Sequence, residues 1–434
     1  MSMAVIASGF AIMLFLMFLS MPVAVAILSV GAIGGYMAYG MPLVETMGGV
    51  VWGTLNNPVM TAIPLFMLLG ELLLRGGIAD KMFDALAVWL GRLPGGLLHT
   101  NIATCTLFSA TSGSSVATAA TVGTIALPAL GERNYPVRPA LGTLAAGGTL
   151  GIMIPPSVNF LVYGSLANVS VGQLFLAGVV PGLVLTALFM IYVAIAYPDA
   201  GRHGPQITMP ASEKRALLRH LIPPGVIFGI VMGSIYGGLA TPTESAALGV
   251  LAAFYFVWRN GRLKWALLES CFLQSARTTG MVVLVIVCAL LLNVTLAMTG
   301  STQAITRWIT DLGLSQNALL LLLVLFYVIL GMFMDAMSML VLTVPIAVPM
   351  VTVLGVDPIW FGVFVVLMCE IGLITPPVGM NLFVVQGVRR DGGDFNDVIR
   401  GALPFVGIMI LFAGALILVP DIAMYLPDLA AGRE

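Results

Sequence analysis

The chain reads as an all-α polytopic membrane protein: an inverted repeat with about ten or eleven transmembrane helices, two re-entrant helical hairpins and two broken helices. Three observations predict this. Hydrophobic residues make up 59% of the 434 and charged residues 9%, against about 45–50% and ~25% in soluble domains. Residues 139–167, PALGTLAAGGTLGIMIPPSVNFLVYGSLA, are apolar enough to cross a bilayer but are interrupted by Pro155-Pro156. Residues 370–387, EIGLITPPVGMNLFVVQG, repeat that interruption.

The interruption has a clear physical meaning. Pro155 offers no N–H to the carbonyl of Gly151, and Pro156 none to that of Ile152. The residue before each proline is pushed away from helical angles. Bare carbonyls in hydrocarbon cost several kcal/mol each, so such a break persists only inside protein or beside a wet cavity. Pro155 matches Pro376 at an offset of 376 − 155 = 221, and Gly151 matches Gly372 at the same offset. Pro128 then maps to Pro349, and Ser114 to Asp335. The duplication divides the chain into two halves, 1–200 and 211–434.

Taken in order, residues 3–20 and 22–40 are two apolar helices separated at Met21-Pro22, and 41–56 is a short interfacial segment. Residues 57–75 form the next span. No Lys or Arg precedes Arg75, so the N-terminus is expected on the outer, periplasmic face, because Lys and Arg collect inside. Arg75, Lys81 and Arg92 place 76–96 on the inner side. Residues 97–131 then hold two arms of about 15 residues around Ser112–Ser115. Each is about 22 Å long, too short for a ~30 Å hydrocarbon core, which indicates a re-entrant hairpin. The broken helix 139–167 follows, then a span over 170–197. The basic loop 198–219 carries Arg202, Lys214, Arg215 and Arg219.

The second half repeats the plan upside down. Spans at 220–236 and 242–258 return to Arg259, Arg262 and Lys264. Residues 276–299 cross, and 300–316 look interfacial. A second hairpin, 317–355, turns at Met334–Ser338. The second broken helix, 359–388, reaches Arg389 and Arg390, and 401–420 is the last span.

Several function classes are excluded. There is no basic stripe for nucleic acid, and no G-x-x-x-x-G-K-[ST] for a nucleotide-driven pump. Cys105, Cys271, Cys288 and Cys369 are isolated and have no metal or disulfide spacing. The first 20 residues lack the basic region of a cleavable signal peptide. No catalytic residue is assigned. His99, His203 and His220 have no partner in sequence, and pairing Ser114 with His99 as a hydrolase leaves the duplication unexplained.

Each polar constellation has a plain alternative. The small residues around Ser112–Ser115 let helices approach closely, but with the paired break they favour a binding site. Asp335 at membrane depth is a functional candidate, for a cation or a proton. It is equally placed to cap the second hairpin arm. Thr241-Pro242-Thr243-Glu244 reads as a capping box, and Glu71 as the partner of Arg75 one turn on. Both are structural. Glu370, just before the second break, is left open.

The stretches SATSGSSVATAATVG (109–123), GIMIPPSVNFLVYG (151–164), LFLAGVVPGL (174–183), GGLATPTESAA (237–247), DPIWFGVFVV (357–366) and EIGLITPPVGMNLFVV (370–385) resemble the large membrane subunit, DctM type, of tripartite ATP-independent periplasmic (TRAP) transporters. The resemblance covers essentially the whole length. It implies an elevator-type secondary transporter in the bacterial inner membrane. That transporter imports an organic acid such as a dicarboxylate or sialic acid, with Na+ as coupling ion and no other cofactor. It further implies two partners, a small DctQ-type membrane subunit and a periplasmic DctP-type substrate-binding protein. The alternative is a self-sufficient divalent-anion/sodium symporter.

Carried onto this sequence, the resemblance puts about two sodium sites at the tips and breaks. One is at Ser112, Gly113, Ser114, Gly151, Ile154 and Pro155. The other is at Met334, Asp335, Ser338, Gly372, Thr375 and Gly379. The substrate carboxylate is expected between them, at Ser114, Ser115, Ser157, Asn159, Asp335 and Asn381. Neither tip and neither break contains Arg or Lys, so helix dipoles and sodium must balance the anion.

Overall fold

The computed structural model describes residues 3–200 and 210–432, and these are helical with short connections. Arg202 and His203 lie outside the described residues. Helices α1 (Met3–Phe18) and α2 (Val23–Tyr39) part at Pro22, and α3 (Met41–Leu55) follows Gly40. Helix α4 (Pro58–Arg75) starts with proline in its first turn, where no N–H is needed, and Asn57 accepts the Val59 N–H at 3.0 Å. Helix α5 (Ile78–Leu90) continues past Gly77, whose φ of +68° suits a residue without Cβ.

The first hairpin is α6 (Leu97–Ser112) and α7 (Ser115–Gly131). Helix α8 (Val137–Thr149) leads into the first break, and α9 (Val158–Ala167) and α10 (Val171–Ala196) follow. Beyond the undescribed segment come α11 (Ala211–Leu217), a 3-10 turn (Leu218–Leu221), α12 (Ile222–Tyr236) and α13 (Pro242–Arg259). Then come α14 (Trp265–Met298), α15 (Ser301–Asp311) and the second hairpin, α16 (Gln316–Gly331) with α17 (Ala336–Val353). Helix α18 (Pro358–Leu373) enters the second break, and α19 (Met380–Val388), α20 (Phe395–Leu418) and α21 (Asp421–Ala430) complete the chain.

Three differences from expectation have simple causes. The span expected at 276–299 begins at Trp265, because WALLESCFLQS carries one charge and no breaker. At 34 residues it is ~51 Å long and outruns a ~30 Å hydrocarbon core. The last span begins at Phe395, where the Asp394 carboxylate caps the Asn396 N–H at 3.1 Å. A further helix, α21, follows it. The stretches expected to be interfacial, 41–56 and 300–316, are the short helices α3 and α15.

Six helices among the described residues are long and apolar enough to cross a membrane, and six more apolar helices are shorter. The chain is a multi-pass membrane protein. The duplication is visible in the bounds: α7 starts at 115 and α17 at 336, α8 at 137 and α18 at 358, both 221 apart.

Two sets of helices pack internally. In the first, α2 packs on α14 and α4 on both α13 and α14. In the second, α8 packs on α6, α7 and α20, while α18 packs on α16, α17 and α10. The deepest part of the core lies in the second set: residues 139–164 and 360–375 are buried without exception. Backbone approach is closest where α8 crosses α20. A Cβ on Gly142 would lie 2.1 Å from the Gly401 carbonyl oxygen, which is the small-residue contact that lets membrane helices touch. At one end of this set, Arg389 donates to Asp391 and to the Asp394 carbonyl (2.9 Å), tying the connector 389–394. Hydrogen bonding from Arg389 holds Asp391 below the usual carboxylate range.

Candidate functional site

The first tip closes at Gly113, whose φ of +61° ends α6 in a left-handed turn. Ser114 then caps α7: its side chain accepts the Ala117 N–H at 3.4 Å, and its carbonyl accepts the Thr118 hydroxyl at 2.7 Å. Ser112 and Thr118 hydroxyls pair at 3.0 Å. Ser112 and Ser115 are buried, and Ser114 is half-buried.

The first break spans residues 150–157 between α8 and α9. The Pro155–Pro156 peptide is cis. Ser157 donates its hydroxyl to the Ile152 carbonyl at 2.6 Å, replacing the donor that Pro156 lacks. None of the described residues donates to the carbonyls of Gly151, Met153, Ile154 or Pro155. These are hard oxygen donors of the kind that small cations prefer. Asn159 is buried beside them, with its amide nitrogen unpartnered.

Tip and break meet as expected. A Cβ on Gly151 would lie 2.7 Å from the Ser114 carbonyl and from Ser115 Cα, and one on Gly113 would lie 3.0 Å from the Pro156 oxygen. Ser112, Gly113, Ser114, Gly151 and the two prolines are therefore one cluster.

The second pair is built the same way with different chemistry. Asp335 caps α17, accepting N–H bonds from Met337 (3.0 Å) and Ser338 (3.2 Å) on one oxygen and the Ser338 hydroxyl on the other. The capping alternative is thus realised. In the second break, Pro376–Pro377 is cis, and Thr375 donates its hydroxyl to Ile371 at 2.6 Å. The Val378 N–H reaches across to the Met332 carbonyl at 3.2 Å, locking tip to break. A Cβ on Gly331 would lie 2.5 Å from Gly372 Cα. Gly372 sits inside the last turn of α18 rather than in the break, because α18 runs further toward its prolines than α8 does. Gly379 starts α19 at φ +48°.

The two pairs interlock. Asn381, on α19, reaches the Ala145 carbonyl of α8 at 3.5 Å, while its own carbonyl oxygen has no partner. Helix α17 packs on α9, and α19 on α7.

Of two further features, one escaped the sequence and the other was left open there. One is Thr118, whose partnership with Ser112 needs the hairpin turn to exist first. The other is Glu370. It is fully buried, and neither carboxylate oxygen has a hydrogen-bond partner. The Met153 N–H of the first break faces it, yet that N–H bonds to the Leu150 carbonyl at 3.3 Å. An acid inside an apolar span was the available signal. The residues read as structural are so: Glu71–Arg75 is an ion pair at 2.8 Å, and Thr241 with Glu244 forms the capping box. His99 bonds to the Pro94 carbonyl. It lies thirteen residues before Ser112, or ~20 Å along α6, out of reach of Ser114.

A family model, "Tripartite ATP-independent periplasmic transporter, DctM component", matches residues 10–422. This chain belongs to the DctM family. The permease is 37% identical over 392 residues to the C4-dicarboxylate TRAP transporter large permease protein DctM of Pseudomonas aeruginosa, covering 89% of this chain and 90% of that one. It is 32% identical over 392 residues to the sialic acid TRAP transporter large permease protein SiaM of Vibrio cholerae, covering 88% of each. Both are permeases, not enzymes. Among solved structures, the YdaH transporter of Alcanivorax borkumensis superposes with a TM-score of 0.65 at 14% identity, covering 94% of this chain and 97% of that one. At that identity the likeness concerns the fold alone.

Proposed function

We propose that this TRAP large permease imports an organic acid across the bacterial inner membrane, coupled to a sodium gradient. The observation that carries the proposal is the duplicated tip–break pair, in tips and breaks free of Lys and Arg, with the carbonyls of Gly151, Met153, Ile154 and Pro155 left without a donor in the first. Two sodium ions occupy the pairs. One takes oxygens from Ser112–Ser114 and Gly151–Pro155. The other takes them from Met334–Ser338, Gly372, Thr375 and Gly379. The carboxylate lies between them, met by Ser114, Ser115, Ser157, Asn159 and Asn381 and by the N-terminal ends of α7 and α9. The relatives transport C4-dicarboxylates and sialic acid by name, which supports a carboxylate.

The tight packing of α8 against α6, α7 and α20 supports motion as one elevator body, with the set built on α2, α4, α13 and α14 as the scaffold. The two halves, 1–200 and 211–434, are oriented oppositely, with the N-terminus in the periplasm. A small DctQ-type subunit and a DctP-type binding protein complete the system. The test is uptake by proteoliposomes holding permease and small subunit, with and without binding protein and sodium. Ser114→Ala and Asp335→Ala should each abolish uptake while the protein stays in the membrane. Normal uptake by both variants rejects this placement. Uptake without the binding protein rejects the tripartite assignment.

A further inference from the structure

A second polar site lies far from the breaks, where α5, the 3-10 turn, α12 and the end of α13 meet. It is a cavity of about 370 Å³ whose lining includes Lys81, Arg219, His220, Ile222, Phe256 and Arg259. Three of these are cations. None of the three has a carboxylate within ion-pair distance among the described residues, where the ion pairs involve other arginines. Lys81 donates to the Asn260 side-chain oxygen, and Arg259 to the Tyr255 hydroxyl at 3.4 Å. Both partners are neutral. Asp84, further along α5, interacts with His220 and is not part of the lining. The side-chain Nδ1 of His220 is buried and unpartnered.

The cavity's other wall is apolar. Ile222 is 53% exposed beside the cations. The exposed tryptophans Trp258 and Trp265 flank Arg259 and Lys264 at the same level, the arrangement that marks a membrane–water interface. The basic residues gathered here mark the inner face by the same rule. A soluble anion would need only the cations. Cations above an apolar wall at the interface suit an amphiphile whose head is a phosphate.

We propose that this cavity binds the phosphodiester headgroup of an anionic phospholipid of the inner leaflet, held by Lys81, Arg219 and Arg259, with its acyl chains along Ile222 and Phe256. The bound lipid joins α5 to α12 and α13. The test uses the purified full-length permease. It is exchanged into detergent with equimolar dioleoyl phosphatidylglycerol and dioleoyl phosphatidylcholine, and retained lipid is counted by native mass spectrometry. Wild type should retain at least tenfold more phosphatidylglycerol. K81Q/R219Q/R259Q should lose that preference, whereas K81R/R219K/R259K, which keeps the charge, should preserve it. Equal retention of both lipids by wild type overturns the proposal, as does an unchanged preference in the glutamine variant. A thermal shift with inorganic phosphate that phosphatidylglycerol does not reproduce overturns the lipid as occupant. If the glutamine variant does not fold, loss of wild-type preference in 1 M NaCl is the expected substitute result, and persistence there counts against it.

Discussion

Gly151→Ala is the sharpest perturbation of the first pair. The added methyl would lie 2.7 Å from the Ser114 carbonyl carbon and oxygen and from Ser115 Cα, where ordinary contact begins at 3.4 Å, so the tip must retreat by at least 3.4 − 2.7 = 0.7 Å. All three atoms are backbone, so no rotamer change relieves the clash. Overpacking of this kind costs about 1–3 kcal/mol. The more telling effect is on the sodium ion proposed for this pair. Binding stabilises the folded state by RT ln(1 + [Na+]/Kd), about 2.7 kcal/mol at 100 times Kd. If retreat of the tip weakens binding a hundredfold, the same salt contributes only about 0.4 kcal/mol. The assay is the melting temperature of purified protein in NaCl minus that in KCl at equal ionic strength. Gly229→Ala is the control: it lies inside α12 with nothing within 4 Å of its Cβ, so it should raise stability by about 0.5–1 kcal/mol. The reasoning is refuted if Gly151→Ala keeps the wild-type sodium-dependent shift.

Other expectations follow the same geometry. Gly142→Ala forces a methyl to 2.1 Å from the Gly401 carbonyl and should lower the melting temperature in both salts alike, since the contact is between α8 and α20 rather than at a tip; a sodium-specific loss would contradict this. By contrast, Arg138→Ala removes the half-exposed pair with Asp397 on the same two helices and should leave the melting temperature unchanged within error. Replacing Glu370 with Leu removes a buried acid without partners, so it should stabilise by about 1–3 kcal/mol while lowering uptake. Destabilisation with full uptake would make Glu370 a packing residue. Asp391 has a depressed value in the folded state, so its support for the 389–394 connector is complete above the unfolded carboxylate pKa of about 4. That support is lost as pH falls through the folded value, so limited proteolysis along a descending pH series should show cleavage there beginning only below the unfolded carboxylate value.

What was legible in the sequence was whatever a backbone rule dictates locally. Two adjacent prolines remove two donors wherever they fall, so both breaks stood out, and each lies against its hairpin tip. Thr241-Pro242-Thr243-Glu244 and Glu71–Arg75 were legible for the same reason: each is complete within one helical turn. Asp335 offered two readings, and the cap is visible because its donors, Met337 and Ser338, are two and three residues away. Where the sequence fell short, the determinant was distant or missing. Nothing in 265–275 says where α14 begins, because no breaker marks it. The bond from Asn381 to Ala145 joins residues 236 apart, and no periodicity carries that information. The cavity around Lys81 draws on three separate stretches, 78–81, 219–223 and 256–260, which individually read only as inner-face charge.

The packing of α8 bears on what can move. Along this one helix and the break after it, an added Cβ on Gly142 would meet the backbone of α20, one on Gly147 would lie 3.1 Å from Cys105 of α6, one on Gly148 2.7 Å from Ala119 of α7, and one on Gly151 would meet the tip. Interfaces this close leave no room for sliding, because any shear drives backbone into backbone. The hairpin α6–α7, the first break and α20 are therefore constrained to move together, and the Asn381 contact brings the second break with them. A transport cycle that separated a tip from its own break would have to tear contacts that have no rotamer to yield. One that carries both pairs past α4 as a unit opens the approach of Gly70 to the Ser112 backbone, where an added Cβ would lie 3.0 Å from the carbonyl oxygen, but leaves each tip on its own break. That asymmetry is the physical case for a rigid carrier, and a disulfide that locks α6 to α8 through Cys105 and Gly147→Cys should leave uptake intact, whereas loss of uptake on oxidation would mean the pair has to open.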